Sequence, residues 1–248
     1  MTLQGSSAVI TGANKNLGRE TAITFAKDGC DLILHYHSQS SKEASDDLAK
    51  ELIDSYKIKA FTYQGDLSVE SASIKLFDFA IEKLGKVDIA INNVGKVLRK
   101  PLAETSVEEY DEMFRINTKA AFLFLREAAK KVSVNGSVIM LTTSLLGAYT
   151  DGYSLYQGSK ASVVSMCKAL SKETDKKISF NCVSPGPMDT PFLYGQENEG
   201  RVEFFKSQAN AGRLTEVHDI VPIIKFLAKD GHWMTGQNLF ANNGFVAV

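Results

Sequence analysis

Cysteine is scarce in this chain of 248 residues. The three cysteines, Cys30, Cys167 and Cys182, lie far apart and form no Cys-x-x-Cys pair. An odd and scattered set argues against a disulfide framework and against a structural zinc site, so we predict no metal. All three lie in or beside apolar runs, and we therefore expect buried thiols in a reducing compartment.

The chain also lacks an excess of either charge. Its 28 basic and 29 acidic residues give a formal net charge of -1, which leaves no electrostatic footprint for nucleic acid or an acidic membrane surface. No apolar run approaches the ~20 residues that span a bilayer, and residues 1–5 lack the basic-then-apolar order of a signal peptide. We therefore expect a soluble cytoplasmic protein without nucleic-acid or membrane partners. This balance is compatible with a neutral substrate or with an anionic one held by a local basic cluster.

Short apolar runs alternate with longer amphipathic stretches along the chain. The runs predict strands at 6–11, 31–36, 59–64, 87–91, 137–141, 178–183 and near 238–241. The stretches predict helices at 17–27, 41–56, 70–84, 108–131 and 154–172, and the third is expected to end at Gly85 in a left-handed cap. This alternation predicts an α/β fold, a doubly wound and mostly parallel sheet with helices on both faces. The length suits one domain over residues 1–248, although length alone also permits two small domains.

A glycine-bearing turn, Thr11 to Gly18, joins the first predicted strand to the first predicted helix. Free backbone N–H groups and the positive end of a helix dipole at such a place bind a pyrophosphate. Gly12 would permit the tight turn, and Gly18 would let helix and strand pack closely. The alternative is a plain tight turn that binds nothing.

Tyr156 and Lys160 are four residues apart and share one face of a predicted helix. A free phenol has a pKa near 10 and is a poor base at neutral pH, and a nearby ammonium lowers that pKa. Ser144 ends the preceding strand twelve positions before Tyr156, and we expect its hydroxyl to hydrogen-bond a substrate oxygen that gains negative charge. Thr143 is the alternative donor. A tyrosine and a lysine at this spacing, taken alone, also fit an ordinary exposed helix face.

These motifs, in this order, resemble those of the short-chain dehydrogenases/reductases over nearly the whole chain. The turn resembles the family's Thr-Gly-x-x-x-Gly-x-Gly loop, with Asn16 in place of the middle glycine. Asparagine adopts a positive φ more readily than most residues, so we expect the loop to keep its shape. The resemblance implies a Rossmann fold, a homo-oligomer (dimer or tetramer), and Asn117 as the residue that holds a water behind Lys160. Similar proteins separate the hydroxyl and the tyrosine by about one residue more, which would suit Thr143. The following Leu145-Leu146-Gly147 favours Ser144 in register, and Ser144 is the predicted catalytic hydroxyl.

The resemblance further implies where a dinucleotide would bind. Asp66 and Leu67 would lie beside the adenine, the segment Asn92 to Gly95 would support the adenosine end, and the Pro185-Gly186 turn would meet the nicotinamide. For each of these segments, the alternative is a turn that merely ends a strand. The expected cofactor-binding residues are Gly12, Asn14, Lys15, Asn16, Leu17, Gly18, Tyr36, His37, Ser38, Asp66, Leu67, Asn93, Val94, Gly95, Tyr156, Lys160, Pro185, Gly186, Met188 and Thr190.

The residues after the second strand bear on the choice between NAD and NADP. An acid about 20 residues past the glycine loop would bind the ribose 2′-OH of NAD and repel a 2′-phosphate. The stretch from His35 to Ser41 contains no acid and offers donors instead, and Lys15 adds a cation as in similar family members that use NADP. We therefore predict NADP(H). The alternative is that Lys15 is solvated and that Ser40 or Ser41 caps the next helix.

Phe192 to Gly212 is the least periodic stretch of the chain, and we expect it to be mobile. It lies within residues 188–212, which are called the lid below. The resemblance implies that they cover the substrate. Aromatic and apolar side chains here and around the catalytic residues predict a pocket for an apolar or aromatic ketone, namely Phe192, Leu193, Tyr194, Phe204, Phe205, Leu145, Tyr149 and Tyr153. Packing against the core or a partner subunit is the alternative. We thus predict an NADPH-dependent carbonyl reductase. The alternatives are an NAD-dependent polyol or sterol dehydrogenase, a dinucleotide-binding regulator without turnover, and a scaffold subunit.

Overall fold

The structure is a computed structural model that describes residues 2–148 and 150–246. Within these residues, seven strands form one sheet in the order β3-β2-β1-β4-β5-β6-β7, and every neighbouring pair is parallel. The strands are β1 Ser7–Ile10, β2 Asp31–Tyr36, β3 Ala60–Gln64, β4 Ile89–Asn92, β5 Ser137–Leu141, β6 Ser179–Pro185 and β7 Asn238–Ala241. The predicted parallel sheet is confirmed.

Helices cover both faces of this sheet. They are α1 Asn16–Lys27, α2 Lys42–Tyr56, α3 Glu70–Leu84, α4 Val107–Phe114, α5 Ala120–Lys131, α6 Ser154–Leu170, α7 Pro191–Tyr194, α8 Glu199–Gln208 and α9 Val217–Lys229. Helices α1, α2 and α9 pack on one face, and α3, α5 and α6 pack on the other. Gly85 ends α3 in the left-handed conformation, as predicted, with φ of 81°.

The two faces of the sheet are separated by the alternation of side chains along each strand. In β1, Ala8 and Ile10 join the core beneath α1, α2 and α9, whereas Val9 joins the core on the opposite face. Successive strand residues point to opposite sides, so a strand covered on both faces must be apolar throughout. This explains why the strands are continuous apolar runs in the sequence.

The helices differ from the prediction in three places. Helix α9 was not predicted, and it forms despite Pro222 because a capping box between Glu216 and Asp219 starts it and a wide apolar face anchors it on the sheet. The stretch predicted as one helix over 108–131 is interrupted by a π-helical turn at Arg115–Lys119. Such a turn carries one extra residue and is frequent at functional sites. The lid likewise contains two helices, α7 and α8, that the sequence pattern did not reveal.

The sheet order reverses direction between β1 and β4. The chain leaves β1 toward β2 and β3, whereas β4 continues toward β5, β6 and β7 on the other side. Connections from the two central strands therefore diverge at their carboxyl ends and leave a crevice there. In open α/β sheets this crevice is where ligands bind.

Candidate active site

A cavity of about 440 Å³ opens at the carboxyl edge of the sheet, above the reversal point. It is walled by the turns after β1, β2, β4, β5 and β6 and by part of the lid. Most of the residues predicted from the sequence line it, namely Gly12, Asn14, Lys15, Asn16, Leu17, His37, Ser38, Asn93, Val94, Gly95, Ser144, Tyr156, Lys160, Pro185, Gly186, Met188 and Thr190. One continuous space thus joins the glycine loop to the predicted catalytic residues.

Two of the predicted residues lie beside an adjoining cavity. Asp66 and Leu67 line a space of about 240 Å³ that shares His35 and His37 with the larger one. The Asp66 carboxylate accepts hydrogen bonds from the Ser68 N–H and from Arg115, both at 2.9 Å. Arg115 therefore also lies at this end of the site, a position that the sequence did not suggest.

Tyr36 and Gly18 do not line the described walls of either cavity. Tyr36 is buried, whereas its neighbour His35 in β2 lines both cavities. The role of Tyr36 as a cofactor contact stays a prediction. Gly18 acts instead through the absence of a side chain, because a Cβ there would lie 2.2 Å from the Gly12 carbonyl oxygen.

The glycine loop has the shape that the sequence predicted for it. Asn16 has φ of 47° and Gly12 has φ of 61°, so the asparagine does adopt the left-handed conformation expected in place of a glycine. Lys15 is the N-cap of α1, and its side chain makes no capping hydrogen bond to the described part of the helix. The first N–H groups of the helix therefore face the cavity without a side-chain cap, as an anion site requires.

The imidazole of His35 holds the glycine loop to the end of β3. Its Nδ1 accepts a hydrogen bond from the Gly12 N–H at 3.3 Å, and its Nε2 lies 2.9 Å from the Gly65 carbonyl oxygen. Since a carbonyl only accepts, Nε2 carries the proton and the ring is neutral. Burial lowers the pKa of His35 to about 4. In the sequence, the only local indication that His35 holds the glycine loop is its position as the last residue but one of an apolar strand.

Tyr156 lies on α6 and is buried at the floor of the cavity. Burial raises the pKa of its phenol above the ordinary value, and a hydrogen bond with the Thr143 side chain opposes that rise. The Ser144 hydroxyl points elsewhere, since its Oγ donates to the Ser184 carbonyl oxygen at 2.8 Å. Thr143, the alternative donor, lines the same cavity as Tyr156 and lies near enough to lower the pKa of its phenol.

Lys160 lies one turn further along α6 and is also buried. Its Nζ donates to the Leu141 carbonyl oxygen at 3.0 Å, and burial lowers its pKa to about 8. Gly95 makes room for this ammonium, because a Cβ at that position would lie 3.0 Å from Lys160 Nζ and 3.5 Å from Asn117 Oδ1. Close packing around Lys160 therefore favours glycine at position 95, in the segment after β4.

Asn117 lies on the π-helical turn, outside the described lining of the cavity. Its Oδ1 accepts from the Lys96 N–H at 2.7 Å, and its Nδ2 lies 2.8 Å from the Lys96 carbonyl oxygen and 2.9 Å from Ser159 Oγ. These contacts tie the loop after β4 to the catalytic helix. The side chain is thus engaged in positioning its neighbours.

The substrate end of the cavity is apolar. Its lining includes predicted residues and two that the sequence did not suggest, Val97 and Phe245, and comprises Val97, Leu145, Tyr153, Phe192, Leu193, Phe205 and Phe245. The ring of Phe192 in the lid lies 6.5 Å from that of Tyr156, centroid to centroid. Tyr194 and Phe204 are about half exposed and lie outside this lining. Tyr149 lies outside the described residues.

Two general features complete the description. Over residues 2–148 and 150–246, no helix has the length and apolar character that crossing a membrane requires. The same residues contain no cluster of three or more histidine, cysteine or acidic side chains arranged to hold a metal ion. The three cysteines are buried free thiols, as predicted.

Comparison with known proteins agrees with a dinucleotide-dependent oxidoreductase. The family model described as enoyl-(acyl carrier protein) reductase matches residues 12–246. A short-chain type dehydrogenase/reductase from Picea abies is 35% identical, with 98% of this chain and 93% of the relative covered. An NADPH-dependent aldehyde reductase-like chloroplastic protein from Arabidopsis thaliana is 34% identical, with 99% and 96% covered. The chain therefore belongs to the short-chain dehydrogenases/reductases.

Solved structures show the same likeness. A protein from Burkholderia cenocepacia described as a dehydrogenase, with bound NADP, is 42% identical, with a TM-score of 0.95 over 100% of this chain and 96% of that one. A blue fluorescent protein from a metagenomic library, in complex with NADPH, is 30% identical with a TM-score of 0.93 and full coverage of both chains. The predicted fold class, a single-domain Rossmann fold, is thereby confirmed.

The buried imidazole of His35 predicts a pH-dependent contribution to stability. Its folded pKa of about 4 lies below the ordinary 6.5, so between these values the unfolded chain binds a proton that the folded chain excludes. The free energy of unfolding should therefore fall by up to about 3 kcal/mol as pH drops from 6.5 to 4. Urea unfolding at several pH values should show this loss in the wild type and a smaller loss in His35→Asn. The exposed His232, changed to asparagine, is the control; equal slopes in the wild type and His35→Asn would refute the assignment.

Proposed function

We propose that this protein is an NADP(H)-dependent carbonyl reductase, which transfers hydride to a ketone or aldehyde and reverses this as an alcohol dehydrogenase. The observation that carries the proposal is the meeting of Tyr156, Thr143 and Lys160 in the cavity that begins at the glycine loop. Relatives described as NADPH-dependent aldehyde reductases support the same reaction class.

The residues at the far end of the cavity fit a 2′-phosphate. Lys15, His37 and Ser38 line it there, and none of its described lining residues is aspartate or glutamate. A cation and hydroxyl donors without an opposing carboxylate favour the additional phosphate of NADP over the free ribose hydroxyl of NAD. The NADP and NADPH found in the solved relatives support this choice. We further propose that the main cavity and the adjoining one together hold the dinucleotide, with Asp66 and Leu67 at the adenine end.

Three side chains would act on the carbonyl oxygen or on each other. NADPH, when bound, supplies the hydride to the carbonyl carbon. Tyr156 donates its phenolic proton to the carbonyl oxygen, and burial keeps that phenol protonated at neutral pH. Lys160, with a pKa of about 8, remains charged at neutral pH and stabilises the phenolate that is left. A hydroxyl beside Tyr156 donates a hydrogen bond to the same carbonyl oxygen.

The apolar end of the cavity selects the substrate class. Aromatic rings from the lid and from the start of α6 face Tyr156 there, and charged side chains are absent from the described lining of that end. An apolar or aromatic carbonyl compound buries its surface in such a pocket, whereas a polyol loses hydration without gaining partners. We therefore favour a carbonyl reductase over a polyol dehydrogenase.

We also propose that the protein acts in the cytoplasm as a homo-oligomer, a dimer or a tetramer. The proposal of an oligomer rests on the dimers and tetramers that members of the family commonly form. It also rests on apolar side chains that are exposed in the single chain, such as Leu102, Val107 and Trp233. Light scattering of the purified protein should give a mass of two or four chains, and a monomer at micromolar concentration would refute it.

Tyr156→Phe tests the proposed reaction. The variant should lose about 10²–10⁴-fold in kcat for NADPH-dependent reduction of an aromatic ketone, because the proton donor is gone. Its Kd for NADPH, measured by fluorescence titration, should stay near the wild-type value. Tyr110→Phe, on exposed α4, is the matched control and should behave as wild type. Near-normal turnover of Tyr156→Phe would overturn the assignment, and a preference for NADH would overturn that of the cofactor.

A second pair of variants identifies the hydroxyl that assists Tyr156. Thr143→Val removes the hydroxyl that contacts the phenol and should lower kcat about 100-fold. Ser144→Ala removes a hydroxyl whose proton is directed to the Ser184 carbonyl, and it should retain most of kcat. Steady-state kinetics on the same ketone checks both. The opposite order would restore Ser144 to the role that the sequence assigned to it.

A further inference from the structure

A buried carboxylate lies in the lid, between α7 and α8. The Glu197 side chain is 0% exposed, and its Oε1 accepts a hydrogen bond from the Tyr153 hydroxyl at 2.5 Å. Its Oε2 lies 3.7 Å from Arg99 Nε and 3.7 Å from Arg201 Nε, and it has no hydrogen-bond partner among the described residues. A carboxylate this far from water is stable only when it is paired and hydrogen-bonded.

The two arginines are bridged a second time from the outside. Asp151, 68% exposed, lies 2.6 Å from Arg99 Nη2 and 2.9 Å from Arg201 Nη2. The two guanidinium groups thus lie between the buried carboxylate of Glu197 and the exposed carboxylate of Asp151. The two positive charges are matched by two negative ones. The backbone N–H of Arg99 also donates to the Gln196 side chain at 2.8 Å, which adds another link to the lid.

These contacts join three segments that are separate in the chain. Arg99 belongs to the loop after β4, Asp151 and Tyr153 precede α6, and Glu197 and Arg201 belong to the lid. The same three segments wall the substrate end of the cavity. Glu197 is therefore placed where the walls of the substrate site meet.

The contacts of Glu197 reach the substrate side through aromatic rings. The Tyr153 ring lines the cavity and lies 6.3 Å from the Tyr156 ring, with its hydroxyl turned away toward Glu197. The guanidinium of Arg201 lies 5.5 Å from the centre of the Phe205 ring, which also lines the cavity. Displacing the carboxylate would therefore release a ring on each side of the pocket.

The incomplete hydrogen bonding of this cluster is itself informative. Glu197 Oε2, Arg99 Nε and Arg201 Nε lack hydrogen-bond partners in the described part of the chain. Buried polar atoms are nearly always satisfied in folded proteins. The 3.7 Å distances from Oε2 to both Nε atoms therefore mark contacts that hold the lid by charge rather than by short hydrogen bonds.

We propose that Glu197 is a positioning residue that seats the lid on Tyr153 and the two arginines, and so sets selectivity for bulky apolar carbonyl compounds. This role rests on the proposed carbonyl reduction, and it adds to that proposal the side chain that holds the pocket closed. Glu197 is not itself among the residues that line the cavity, so it acts through Tyr153, which does line it, and through the rings of the lid.

Glu197→Gln is the central test. The amide keeps the size of the side chain and removes the charge, so the lid should be held less firmly on the two arginines. For a bulky aromatic ketone, KM should rise at least about tenfold, with kcat changed less than about threefold. The Kd for NADPH and the KM for a small aliphatic aldehyde should stay within about twofold of wild type. Trypsin should cut the lid faster, after Arg201 or Lys206.

Two further variants separate positioning from general stability. Glu203→Gln removes an exposed lid carboxylate that pairs with Lys206, and it should leave all these values unchanged. Tyr153→Phe keeps the ring but removes the donor to Glu197, and it should shift KM in the same direction. The double variant Tyr153→Phe/Glu197→Gln should show a non-additive change in KM, because the Tyr153 hydroxyl and the Glu197 charge act on the same cluster.

Several outcomes would overturn the proposal. One is that Glu197→Gln keeps the wild-type KM and the wild-type sensitivity to trypsin. Another is that its activity falls equally for large and small substrates while NADPH binding also weakens, which would indicate a merely structural role. The same changes in Glu203→Gln would show that any lid charge suffices. If the wild type reduced no carbonyl compound, the proposed function would fail. The trypsin comparison would still report whether Glu197 seats the lid.

Discussion

The close approach of α1 to the carboxyl ends of β1 and β4 is the constraint on which the rest of the site depends. A Cβ at Gly18 would lie 2.2 Å from the Gly12 carbonyl oxygen and 2.9 Å from Asn93 Nδ2, so this approach requires glycine. Asn93 in turn donates through its backbone N–H to Thr11 Oγ1 at 2.9 Å and through its amide to the Gly12 carbonyl oxygen. A turn, a strand end and a helix start are thereby held together, and the cavity opens where they meet.

Burial then shifts the pKa values of Tyr156 and Lys160, both on α6, in opposite directions. It raises the pKa of Tyr156 and lowers that of Lys160, because in both cases a low-dielectric environment penalises the charged form. A protonated phenol thus stands on the same helix as an ammonium that is closer than usual to losing its proton. Burial would thereby keep the proton on the phenol for the transfer proposed for Tyr156, without any neighbouring acid.

Features that depend on local pattern could be predicted from the sequence, and features that depend on distant contacts could not. Tyr156 and Lys160 share a helix face whatever surrounds them, and Asn16 adopts the left-handed conformation because its own side chain tolerates it. The contacts of His35 with Gly12 and Gly65 join the ends of three strands, and no periodicity in the sequence indicates them. Helix α9 was missed because it contains a proline, a residue that normally disfavours a helix interior. Burial of a carboxylate inside the lid likewise depends on segments that meet only in the folded chain.

The π-helical turn at Arg115–Lys119 has a consequence for how the chain can change over time. One residue more than an α-helical turn requires is inserted there, and each residue rotates a helix by about 100°. Losing it would turn α5 by that angle, so that Phe124, now fully buried against the sheet, would leave the core together with its neighbours. Asn117 would be carried away from Lys96 by the same rotation. Chain length at this point is therefore constrained in its own right, independently of which side chains the turn carries.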